Sequence, residues 1–103
     1  MNTKLDPQVR TEQLLDAALK LAAAEGFGSL TRDGIARAAG VSGGLVTQRL
    51  GTMDQMRRSV MRRAVAQRVV RVVAEGLVAG DKHAQRADDA LRSECAQLMG
   101  ARR

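Results

Sequence analysis

The sequence has no tryptophan, no tyrosine and a single phenylalanine, Phe27. A core must therefore be assembled from Ala, Val, Leu and Met, each of which buries less surface than a ring. On a chain of 103 residues such a core is marginal by itself. Association with a second copy adds buried area without new sequence, so a homodimer is the expected state. The shortage of rings also argues against binding single strands by base stacking, which makes non-specific RNA binding the weakest of the functional classes considered. One cysteine, Cys95, excludes an internal disulfide. One histidine, His83, with no second histidine or paired cysteine at ligand spacing, gives no reason to expect a metal. No apolar run approaches the length of a membrane span or secretion signal, so a cytoplasmic protein with no membrane partner is expected. There is no phosphate loop, nucleophile beside a base, or convergent carboxylate pair, and neither an enzyme nor a cofactor is expected.

Positive charge is plentiful: 17 Lys and Arg against 11 Asp and Glu give a formal net charge of +6, which suits a polyanionic partner. The excess is uneven. Residues 1–52 hold 6 basic and 5 acidic residues, whereas residues 53–80 hold 6 and 2. Much of the latter is the pairs Arg57-Arg58 and Arg62-Arg63.

Along the chain, Asp6-Pro7 reads as a helix cap followed by proline at the first helical position. Leu14, Leu15, Ala18, Leu21 and Ala22 then recur at helical spacing to about Glu25. Gly26-Phe27-Gly28 breaks this first helix, and Phe27 is expected to plug the junction of the first three helices. Thr31 caps a second helix with a small face of Ile35, Ala36 and Ala39, and Gly40 stops it. Ser42 caps a third, with Val41, Val46 and Leu50 turned inward. Thr52 and Gln55 are spaced as a capping box for a long fourth helix. Its first half keeps Met56, Val60 and Ala64 together. Its Val-rich second half is apolar nearly all round, so two surfaces must be buried there, and Gly76 and Gly80 loosen or end it. Asp81 caps a fifth helix whose Ala84, Ala87, Leu91, Cys95 and Leu98 form one narrow stripe. Asp88-Asp89 reads as a solvated face, and His83 as exposed.

The expected fold is all-α, with five helices: a three-helix helix-turn-helix region over residues 1–52 and a helical hairpin over residues 53–103. Two hairpins would make a four-helix dimer interface. Its expected residues are Val65, Val69, Val72, Val73, Leu77, Leu91, Cys95 and Leu98, with Cys95 as a small buried side chain and not a redox group.

The stretch from Thr31 to Leu50 carries the function. The outward side of its second helix, with Gly43, Leu45, Thr47, Gln48 and Arg49, is small, polar or basic, as a helix entering a major groove requires. Gln48 suits adenine, Arg49 suits guanine or phosphate, and Leu45 or Thr47 suits a thymine methyl. Gly43-Gly44 lets the backbone come close to DNA. Thr31, Arg32, Ser42 and Arg57 are expected on phosphates, with Arg58 as the neighbouring candidate. Lys4 and Arg10 are equally readable as exposed residues or as an arm on DNA. Arg62, Arg63, Arg68 and Arg71 read as a solvated face or as salt-bridge partners between subunits, and Arg71 could equally contact an acid in the fifth helix.

Taken with its flanks, this stretch resembles the DNA-binding domain of the TetR family of transcriptional repressors over roughly Arg10 to Val60. The shared features are Leu15 with Ala17-Ala18, the Glu25-Gly26-Phe27 break, Thr31 leading into Ile35-Ala36, Ala39-Gly40-Val41-Ser42 with Gly44, and then Leu50, Thr52, Asp54 and Met56. The sequence departs from the family pattern at Thr47, Arg49, Leu50 and Met53, where Tyr, His, Phe and Lys are usual. The resemblance implies a sequence-specific repressor of double-stranded DNA, homodimeric on a palindromic operator, with autoregulation a natural mode. Only about 50 residues follow Met53, so no small-molecule inducer is expected. The alternative is a helical protein-interaction module, antirepressor or antitoxin-like, on the same fold.

Overall fold

The computed structural model describes residues 6–100; Lys4 and the final Ala-Arg-Arg lie outside the described residues. The chain is all-α, without a strand among the described residues. It has six α-helices rather than five: α1 (Pro7–Glu25), α2 (Arg32–Ala39), α3 (Gly43–Leu50), α4 (Met53–Ala66), α5 (Val70–Ala79) and α6 (Asp89–Gly100). Single 3-10 turns lie at Phe27–Ser29 and Ala84–Arg86. One apolar cluster, from Leu14 on α1 to Cys95 on α6, runs through all six helices.

The N-terminal half follows its local signals. Asp6 Oδ1 accepts from the Gln8 amide, and Pro7 occupies a first-turn position where no amide is needed. α1 is apolar on two sides: Leu14, Ala18, Leu19 and Ala22 are buried, whereas Leu15 and Leu21 of the expected stripe are half-buried. Leu19 departs from that stripe because α4 and α5, as well as α2 and α3, pack against α1. Phe27, expected as the plug of the helix junction, is also only half-buried against the core, whereas Leu30 is 1% exposed.

The expected long fourth helix is two. The chain turns at Gln67-Arg68-Val69, where Arg68 takes φ +57, a left-handed conformation that costs a non-glycine residue about 1–2 kcal/mol. Hydrogen bonds close around it: the amides of Gln67, Arg68 and Val69 donate to the carbonyls of Arg63, Val65 and Ala64 at 2.8, 3.2 and 2.9 Å. The Arg68 guanidinium donates to Asp88 at 2.8 Å, fixing the turn to the start of α6. The expected fifth helix is likewise shortened. Asp81 Oδ1 accepts from His83 and Ala84 at 2.8 and 3.0 Å, but it caps only the 3-10 turn. α6 begins later, capped by Asp88, whose Oδ1 accepts from the Leu91 amide at 2.8 Å. Asp88 is therefore a cap and an ion-pair partner, beyond the solvated role expected of it. Gly80 ends α5, while Gly76 is buried inside it.

Arg68, and secondarily the Leu91 amide, hold the Asp88 carboxyl below the ordinary carboxylate range. A carboxyl depressed in the folded state adds stability above its unfolded pKa, and the addition is lost as the pH falls through the folded value. Asp88→Asn keeps a capping oxygen but no charge. Urea titrations should find wild type more stable than this variant at neutral pH, with the gap closing as the pH falls below about 4. A gap that stayed constant down to acid pH would exclude Asp88 as the linked group.

Packing inside the chain alters the expected subunit interface. Val72 and Val73 are 0% exposed, and Leu91 and Cys95 are 1% and 0% exposed. α5 and α6 cover one another, with further contacts from α4 and α1. These four side chains are thus spent within one chain and offer a partner no surface. Val65, Val69, Leu77 and Leu98 remain half-buried. Burial pushes the Cys95 thiol above its ordinary range, and its Sγ donates to the Val70 carbonyl at 3.6 Å.

Candidate nucleic-acid interface

Three caps in succession set the reading helix. Thr31 Oγ1 accepts from the Gly34 amide at 3.0 Å and starts α2. Gly40, at φ +71, ends α2 in the left-handed region, and the Val41 amide donates back to Ala36 at 2.9 Å. Ser42 Oγ then accepts from Leu45 at 3.1 Å and starts α3. Gly51 turns the chain at φ +80, and a Cβ there would lie 2.1 Å from Gln55 Oε1. That oxygen accepts from the Thr52 amide at 2.9 Å, while Thr52 Oγ1 accepts from Gln55 at 3.1 Å, completing the capping box of α4.

Val46 and Leu50, 1% and 6% exposed, anchor α3. Gly44, Thr47 and Gln48 are exposed, and Gly43, Leu45 and Arg49 are half-buried at the margins of the same outward face. Ser42 and Thr31 are exposed at their caps, and Arg32 is half-buried in the first turn of α2. Residues 42–45 and 47–49 thus lie on or at the margins of one outward face, with Val46 turned inward. Thr47 has a local partner: its hydroxyl donates to the Gly43 carbonyl at 3.2 Å, so its proton is not directed outward. Met53 is half-buried and packs against the core.

The arginines of α4 divide by helical position. Arg63 faces α1, where its guanidinium pairs with Glu12 and, at 2.9 Å, with Asp16. Burial works against its charge, but the hydrogen bonds to Glu12 and Asp16 outweigh it and hold its pKa above the ordinary value. Arg57 is half-buried, with its Nε buried and unpartnered. Arg58, the neighbouring candidate, is exposed and lines an open cleft of about 580 Å³ with Gln48 and Arg49 of α3 and Arg62 and His83. His83 is half-buried there rather than exposed. Sequence reading missed this cleft, although Arg58 and Arg62, spaced by four and lying opposite Met56, Val60 and Ala64, were the available signal.

A capped helix-turn-helix with a polar, glycine-lined outer face, on an all-α chain of high positive charge, defines a DNA-binding transcriptional regulator. Residues 14–60 match the family model described as "Bacterial regulatory proteins, tetR family", which supports a TetR-family N-terminal DNA-binding domain over this part of the chain. No curated protein and no solved structure matches the chain. Among the described residues, no helix is long and apolar enough to cross a membrane.

Proposed function

We propose that the chain is a cytoplasmic repressor that binds a palindromic operator as a homodimer and blocks transcription by occupancy. The observation that carries this reading is the outer face of α3, which is exposed at Gly44, Thr47 and Gln48 among the described residues. A Cβ on Gly43 or Gly44 would meet nothing closer than 3.7 or 3.8 Å, so internal crowding does not demand glycine there. Their use is to let the helix backbone approach the groove. Gln48 reads a base, Arg49 a base or phosphate, and Leu45 supplies apolar contact, while Ser42, Thr31, Arg32 and Arg57 remain candidate backbone contacts. Residues 1–52 serve recognition and residues 53–103 association. For the dimer, apolar side chains still accessible include Val65, Val69, Leu77, Val78, Leu98 and Met99, Val78 being 74% exposed.

Replacing Gln48 by Ala should cost about 1–3 kcal/mol of discrimination at one base pair of each half-site, with little loss on unrelated duplexes. Competition binding against single-base operator variants measures this. Equal weakening on every sequence would remove Gln48 from readout.

A protein-interaction module is the second reading, favoured by the Thr47 hydroxyl being bonded within its own helix. The absence of any salt-sensitive, sequence-preferring shift on the DNA upstream of the protein's own gene would select it over the repressor.

A further inference from the structure

We propose that the cleft between α3, α4 and the His83 turn is a second contact surface, one that holds backbone phosphates of the bound duplex. The proposal rests on the DNA-binding reading above and extends it beyond the helix-turn-helix. α3 carries one cation, Arg49, on its outward side, which is too little charge to hold a duplex whose non-specific affinity comes from neutralised phosphates. Further positive charge lies across the cleft. Arg58 and Arg62 are both exposed and one turn apart, about 6 Å along α4, so they present two guanidinium groups along one line.

Nothing acidic lines this cleft; its other walls are Gln48, Ser59 and His83 together with neighbouring uncharged residues. The ion pairs among the described residues involve Arg63 and Arg68, so Arg49, Arg58 and Arg62 have no carboxylate within 4.0 Å. Asp54, one turn before Arg58, is exposed and does not pair with it. Arg62 makes one local bond, Nη2 to Ser59 Oγ at 3.3 Å. Two buried polar atoms on the walls, Arg49 Nε and His83 Nδ1, have no hydrogen-bond partner among the described residues. Arginines beside α3 with no acid to neutralise them match a polyanion lying across that helix. The surface is continuous from Gln48 to Arg62, so one duplex can meet base-reading and phosphate-holding groups together.

The test is the salt dependence of duplex binding by the full chain, on operator-containing and scrambled DNA. The variants are the double Arg58→Ala, Arg62→Ala, the double Arg58→Lys, Arg62→Lys, and a charge-matched control, Lys20→Ala with Arg71→Ala. Loss of two phosphate contacts should make the slope of log K against log salt shallower by about 1.8, equally on both DNAs. The deficit of the alanine variant should accordingly shrink about 12-fold between 50 and 200 mM salt. The lysine variant should keep most of the slope, and the control all of it. A wild-type slope in the alanine double variant would overturn the cleft while leaving α3 as the reader. Wild type that binds no duplex would overturn both readings. Inorganic pyrophosphate distinguishes the remaining source of the same chemistry: if it raises the melting temperature of wild type but not of the alanine variant, and the DNA slopes agree, the cleft takes a free phosphate compound and the proposal fails.

Discussion

Gly76→Ala is expected to destabilise the protein by about 1–3 kcal/mol, the reverse of what the same change does on an open helix surface. On an exposed helix, alanine for glycine gains about 1 kcal/mol of propensity. Gly76 sits instead where α5 meets α4 and the 3-10 turn at Ala84–Arg86. A Cβ built on it would lie 2.5 Å from Met61 Cε and 2.8 Å from Ala84 Cβ. The methionine tip can swing away, but Ala84 is 0% exposed and its Cβ has no torsion by which to move. The turn must shift bodily, and the position of His83 shifts with it. Gly76→Leu should exceed about 3 kcal/mol for the same reason. Thermal melts should register the alanine change as a fall of about 5–15 °C for a chain of this size. The double variant Gly76→Ala, Ala84→Gly returns the methyl's volume from the other side, so a double-mutant cycle should recover at least about 1 kcal/mol. A melting temperature raised by Gly76→Ala alone would mean that α5 and the turn are not in this contact.

Local chemistry made the helix-turn-helix legible, and long-range pairing hid much of the rest. Thr31, Ser42 and the Thr52–Gln55 box each accept or donate within three residues, so their spacing alone identifies them. Gly40 is legible for the same reason, since a left-handed stop favours glycine. Arg68 offers no such cue. Its left-handed turn lies in a run of valines and arginines, and its side-chain partner Asp88 is 20 residues away. Sequence periodicity correctly marks Ala84, Ala87, Leu91 and Cys95 as buried, yet periodicity does not say what buries them. α5 and α6 bury each other first, which leaves Val78 and its half-buried neighbours as the surface a partner could meet. In α3 the pattern marks Thr47 and Gln48 as outward, but the half-burial of Gly43, Leu45 and Arg49 and the Thr47 hydroxyl's bond to Gly43 appear only with coordinates.

The second large effect is expected at Glu75, a residue that no motif singles out. From α5 its carboxylate reaches the turn after α1, where Oε1 accepts from the Phe27 amide at 2.8 Å and Oε2 from the Gly28 amide at 2.7 Å. A charged acceptor on two adjacent backbone donors makes the strong form of the bond. The turn it holds leads through buried Leu30 into Thr31, the cap of α2, so the hairpin and the DNA-reading unit are tied at this point. Glu75→Ala leaves the part-buried Phe27 amide without an acceptor, whereas the more exposed Gly28 amide can turn to water. The expected loss is about 2 kcal/mol, or roughly 10 °C in melting temperature. Glu75→Gln, with one acceptor oxygen in place of two, should fall between. Hydrogen exchange separates a tie from mere packing: Phe27 and Gly28 should lose protection in Glu75→Ala before α3 does, and duplex affinity should fall while the base preference proposed for Gln48 is kept. Unchanged exchange at both amides would show that the turn is held by its own geometry, and that α5 does not govern the entry to the recognition unit.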